Sequence, residues 1–173
     1  FRYKRFEGWE YQVRNAIGID IGFSYATTVF NLSNIVKMVP SFQANLGSTF
    51  TNAKAGAIFC VGAFESNNNS ILFNTRVSNG KSEPKKKIEL FIYTYPSITV
   101  QLYNATLEGG LFNKGSGAVL AKPETMLFEQ RYGICFAQER FSTRFEITHQ
   151  SKETSSQIRS QKFGSIQLAY RMF

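Results

Sequence analysis

Over residues 16–30 the chain alternates apolar and polar side chains with few lapses. Ile17, Ile19, Ile21, Phe23, Tyr25 and Val29 fall on one face of an extended strand, and Gly18, Asp20, Gly22, Ser24 and Ala26 fall on the other. The same period of two returns after a turn near residues 31–34, where Phe42, Ala44, Leu46 and Ser48 alternate with Ser41, Gln43, Asn45 and Gly47. A short turn at 49–51 leads to Ala53, Ala55, Ala57, Phe59 and Val61, opposite Lys54, Gly56, Ile58 and Cys60. Residues 88–106 are strongly β-prone, and Pro96 in their middle lacks a ladder donor and predicts a bulge or bend. Met126, Phe128, Tyr132, Ile134 and Phe136 then alternate with Leu127, Glu129, Arg131, Gly133 and Cys135. A tight turn at 138–140 opens a strand in which Phe141, Phe145 and Ile147 oppose Ser142, Arg144, Glu146 and Thr148. The closing stretch FGSIQLAYRMF, residues 163–173, sets Ile166, Leu168, Tyr170 and Met172 against Ser165, Gln167, Ala169 and Arg171, and stops at an aromatic residue.

Between these segments lie an irregular, asparagine- and lysine-rich stretch at 65–87, a glycine-rich one at 108–122 and a polar one at 151–160. The local turns are too short for parallel crossovers, so the pattern predicts an all-β antiparallel meander of about seven strands. An additional strand within residues 71–77 would alter that count. Two architectures fit: a transmembrane barrel with lipid outside, and a soluble sandwich with one wet face. The polar face carries Asp20, Lys54, Glu129, Arg131, Arg144, Glu146 and Arg171, which would be costly in a dry core unless paired and harmless on a sandwich exterior. Most segments reach the roughly 9 to 11 residues of a tilted membrane strand.

With 173 residues, 43% of them hydrophobic and 15% aromatic, the chain suits one folded domain, residues 1–173, rather than a disordered tail. No run approaches the roughly 20 apolar residues of a membrane-spanning helix, and the mean hydropathy of -0.21 fits alternating spans. A start at Phe1, without initiator Met or leader, suggests a fragment or a processed form. A formal charge of +8 favours polyanionic partners, either nucleic acid or lipid phosphates, beside the plainer reading of a solvated basic surface. Cys60 and Cys135 form no metal-binding or redox motif and read as inert packing.

Candidate chemistry is sparse. His149 is the only histidine, so any imidazole role must use it, and a structural or interfacial role is favoured. Asp20 is the only aspartate, and no GxSxG elbow accompanies it to complete a Ser-His-Asp set. Glu129 and Glu146 are a candidate carboxylate pair, but Arg131 and Arg144 on the same faces favour ion-pair ladders. Gly109, Gly110, Gly115 and Gly117 match no phosphate-binding loop. Lys81, Lys85, Lys86 and Lys87 read as a solvated charge run, with phosphate or single-stranded nucleic acid as the sharper alternative. Trp9, with Phe1, Tyr3, Phe6 and Tyr11, suits either a membrane interface or an anchor within a further domain.

Four stretches in order resemble the second half of the outer-membrane lipid A 3'-O-deacylases, the LpxR-type barrels. They are GWEYQVRN with Gly8, Trp9, Gln12 and Asn15; LGSTFTNAKAGAIFCVG at 46–62; THQSKE at 148–153; and FGSIQLAYR at 163–171. Two features depart from that family: Met172 shifts the final aromatic by one position, and the lysines at 85–87 have no counterpart.

The resemblance implies a bacterial outer-membrane location and the carboxyl-terminal part of a twelve-stranded barrel, with residues 1–15 on the extracellular side and 16–173 as barrel strands and loops. Counting strands back from the end also places 108–122 and 151–160 outside and 65–87 in the periplasm. It implies hydrolysis of the 3'-acyloxyacyl group of lipid A by the intact enzyme, helped by calcium or another divalent cation. The family's Asn-Asp pair and catalytic His would precede Phe1. No residue of this chain is therefore assigned a catalytic, cofactor-binding or metal-ligating role, no cofactor is expected in it, and the chain alone is expected to be inactive. The expected partners are lipid A or lipopolysaccharide, outer-membrane lipids and the preceding strands of the same barrel, with nucleic acid not favoured. A porin or adhesin barrel, and a soluble basic β-domain binding nucleic acid or glycan, are the alternatives.

Overall fold

The computed structural model describes residues 18–33, 35–64, 70–73, 88–110 and 120–170. These form one antiparallel sheet: β1 (Asp20–Ala26), β2 (Phe30–Leu32), β3 (Val36–Gly47), β4 (Phe50–Ala63), β5 (Ile88–Asn104), β6 (Met126–Gln138), β7 (Phe141–Gln150) and β8 (Gln161–Tyr170). Strand order follows the chain, except that β1 and β2 both pair with β3. They lie end to end, and Thr27 and Val29 N–H groups donate to the Pro40 and Met38 carbonyls to continue the ladder between them. The sheet is thus a meander seven strands wide, as the alternation predicts. Among the described residues no helix is long and apolar enough to cross a membrane; α1 (Ala105–Glu108) is a single turn after β5.

Burial separates the two architectures left open by periodicity. Along β5, Glu89, Phe91, Tyr93, Tyr95, Ser97 and Gln101 are buried, while Ile88, Leu90, Ile92, Ile98, Val100 and Leu102 on the opposite face are exposed. The same inversion runs through β6 and β7, where Met126, Phe128, Tyr132, Ile134, Phe145 and Ile147 are bare. The sheet curls with its polar face inside and its apolar face out. A soluble sandwich would do the reverse, because bare apolar area in water is unfavourable by roughly 25 cal/mol per Å². β1 and β8 are exposed along their length and do not pair with each other, so the described sheet is open.

Three details differ from the sequence reading. β3 begins at Val36, earlier than the alternation at 41–48 indicates, because its first half pairs with β2 and β4 and turns Lys37 and Val39 inward. Pro96 does not bulge the strand: β5 stays in register with β6 through it, while its pairing toward β4 lapses between Gly56↔Ser97 and Phe59↔Thr94, as the missing ladder donor predicts. The register shift lies instead near Leu102, beside Thr51 and Asn52. Residues 71–73 form a 3-10 turn rather than part of a strand.

The β3–β4 turn and the β5–β6 and β7–β8 connections share one end of the sheet, here the loop end. The β2–β3 turn, the β6–β7 turn and the chain between β4 and β5 share the other. At this second end the 70–73 segment tucks onto the inward face. Glu89 accepts from the Ser70 hydroxyl at 2.5 Å and from Ile71 N–H at 3.0 Å, and Arg144 donates to the Ile71 carbonyl at 3.0 Å. Ile71 joins Cys60, Phe64, Phe91, Tyr93, Cys135 and Ala137 in an apolar cluster that plugs this end.

Candidate functional site

The middle of the inward face carries a charged belt. Arg131 on β6 stands between two carboxylates: its Nε donates to Glu129 Oε1 at 2.6 Å, and one terminal nitrogen lies 3.7 Å from Glu146 Oε1 on β7. Lys54 reaches across β5 from β4 to the same Glu129 oxygen, at 2.5 Å. Tyr93 donates its hydroxyl proton to Glu146 Oε2. The Tyr95 ring completes the belt, with Lys54 Nζ 5.5 Å and the Arg131 guanidinium carbon 5.7 Å from its centroid.

Small residues make these long reaches possible. Tyr95 leans from β5 over Gly56 on β4, where a Cβ would stand 2.6 Å from its ring, and its hydroxyl meets Ser41 Oγ on β3 at 3.0 Å. Tyr93, two residues away on the same face, leans the other way over Gly133 on β6 toward Glu146 on β7. Each glycine is required by close approach, since any side chain there would collide with a ring.

Glu129 and Glu146 do lie near one another, as a carboxylate pair would require. Yet Lys54, Arg131 and Tyr93 engage them in the ion-pair ladder that the neighbouring charges predict. Arg144 contributes differently, by holding the Ile71 carbonyl. Alternation places Lys54 on the polar face but does not show the roles of Lys54, Tyr93 and Tyr95. The usable signal was the pair of tyrosines at i, i+2 in one strand, with Gly56 and Gly133 on the matching face of its neighbours.

His149 faces outward from β7, exposed and edge-on to Tyr132 at 6.4 Å between centroids. Asp20 sits on β1 at the loop end, accepting from Thr49 and Phe50 N–H groups at 2.9 and 3.0 Å. The two are on opposite faces of well-separated strands, so no Ser-His-Asp set assembles from them. Cys60 and Cys135 are buried free thiols in the apolar plug. Gly109 and Gly110 follow α1. Trp9 and the rest of residues 1–15, Lys81, Lys85 to Lys87, Gly115, Gly117 and residues 171–173 lie outside the described residues.

A divalent cation such as calcium needs about six to eight oxygen ligands. The described residues hold no group of three or more His, Cys, Asp or Glu side chains that converge in this way. The two inward glutamates of the belt are already committed to cations. The described residues therefore do not fit the metal that the resemblance implies, and no step is assigned to it.

Comparison with known proteins bears on this wall as a whole. A family model described as "Outer membrane protein LpxR" matches residues 1–172. Among solved structures, LpxR from Salmonella typhimurium superposes with a TM-score of 0.68 at 16% identity, covering 91% of this chain and 53% of that one. The chain thus spans about half the length of the structure it matches, and at that identity the likeness shows the fold. No curated protein sequence matches.

Proposed function

The chain belongs to the outer membrane protein LpxR family, and from that membership we propose that it is the carboxyl-terminal wall of a lipid A 3'-O-deacylase-like barrel. In the intact protein, the barrel would hydrolyse the ester that carries the 3'-acyloxyacyl group. These residues would contribute the wall and its lipid-facing surface, while the hydrolytic groups and any divalent cation would be held by chain outside them. The substrate would be lipid A or lipopolysaccharide, met from the surrounding leaflet.

The observation that carries this reading is the family match over residues 1–172 on a sheet whose apolar face is bare. The belt supports the division of labour. Its carboxylates are paired rather than free to act as bases, and the only imidazole points away from them. The loop end, with the 108–122 and 151–160 connections, would face outward from the cell.

A deacylation assay on purified lipid A tests both halves. The protein as the cell makes it should release the 3' acyl group in the presence of calcium, and the 173 residues alone should release none. Release by the 173 residues would overturn the division of labour. No release by the intact protein would favour a non-enzymatic barrel.

A further inference from the structure

The outward surface holds a groove of about 520 Å³ across β5 to β8, whose lining includes Ile92, Tyr132, Ile134, Phe145, Ile147 and Gly164 on the outward face and Glu146 and Ser165 of the positions between them. Its size lies within the ~300–1,000 Å³ range of small-molecule sites, and the surface it exposes is almost wholly apolar. Gly164 opens it. A Cβ at this position would meet only the Glu146 carbonyl oxygen, at an ordinary 3.7 Å, and its φ lies outside the left-handed region. Neither packing within the sheet nor backbone conformation demands glycine here, unlike at Gly56 and Gly133. What the missing side chain leaves is space, directly beside Ile147, its cross-strand partner.

One step toward the loop end, the outward row changes character. Gln130, His149 and Lys162 are consecutive cross-strand partners on β6, β7 and β8. His149 and Lys162 are exposed, and His149 meets Tyr132 at the groove's edge. An ammonium and an imidazole thus stand above an apolar trough, the order of groups that a phosphate headgroup and its acyl chain present from the membrane surface inward.

We infer that this is a binding site for a phosphate-bearing membrane lipid, with one acyl chain lying over Gly164 and the phosphate held by Lys162 and His149. The site lies on the outer wall and needs no hydrolytic group. It rests on the wall facing lipid and not on the deacylase reading, so either can fail alone.

The test is lipid retention. The protein purified from its membrane in nonionic detergent is titrated with phosphatidylglycerol, and bound lipids are counted by native mass spectrometry. One lipid should be retained with an affinity that Gly164→Leu lowers at least tenfold and that Lys162→Gln and His149→Gln each lower about fivefold. Diacylglycerol, lacking the phosphate, should be retained more weakly, and inorganic phosphate should not displace the lipid. Unchanged retention by Gly164→Leu, equal retention of diacylglycerol, or displacement by inorganic phosphate would each overturn the proposal. Heat-dependent migration on gels verifies folding. Should Gly164→Leu not fold, Gly164→Ala with Lys162→Glu provides the same comparison at less steric cost, and unchanged retention there is equally fatal.

Discussion

Along the same strands, the inward face is built in two ways. Around Arg131 it is a belt of half-buried charges, with Glu129 held by Arg131 of its own strand and by Lys54 from across β5, and Glu146 facing Arg131 from the next strand. Toward the β6–β7 turn it becomes mostly apolar and fully buried, with Cys60, Phe64, Phe91, Cys135 and Ala137 packed together, Phe64 and Phe91 in ring contact at 4.8 Å, and the charged Lys37 and Glu89 enclosed beside them. Both halves stand behind a mostly apolar exterior, so the exterior does not dictate the interior. In the plug, stability comes from excluded water. In the belt it comes from leaving no charge unpartnered, because an orphaned buried charge costs more than its pair returns.

The sharpest break of this contrast is Phe91→Ala. It should lower unfolding stability by about 3–5 kcal/mol through the cavity left in the plug, measured by urea unfolding in lipid, with no dependence on salt. Gly133→Val comes next. Tyr93 would be driven off Glu146, and the overpacking should cost about 1–3 kcal/mol, seen as a lower denaturation midpoint that Tyr93→Ala in the same chain partly restores. Arg131→Met should cost about 2 kcal/mol, below the loss of a fully buried pair because the guanidinium is a third exposed. Its penalty should change with ionic strength, and a salt-independent penalty would mean that the belt is held by packing like the plug. Tyr95→Phe should be mildest, at about 1 kcal/mol for the bond to Ser41.

The sequence displayed the periodic part of this molecule well. β6, β7 and the two-residue turn at Glu139 and Arg140 fall where alternation places them, because tight turns and period-two runs are local signals. Which face would be buried was not legible, since alternation is symmetric under exchange of inside and outside. The start of β3 was hidden because Lys37 and Pro40 interrupt the apolar run, and its partner β2 supplies only three residues. The Lys54 to Glu129 pair was hidden for another reason: β4 and β6 are not neighbours, and their side chains meet across β5, where small Ser97 is the cross-strand partner of Glu129. Which long side chains reach over an intervening strand depends on the assembled register, and no single stretch of sequence states it.

Tyr93 and Tyr95 also fix the register of their strand. A one-residue slip between strands is forbidden by the alternation itself, but a two-residue slip would keep apolar side chains facing lipid and polar ones facing in. Against an exterior that is mostly apolar, such a slip would have little to oppose it. Tyr95 in the notch of Gly56, and Tyr93 in the notch of Gly133, work as opposed detents on the two sides of one strand. Displacing either neighbour by two positions lifts a ring out of its notch and onto a side chain, so β5 is the strand against which the rest of the wall is indexed.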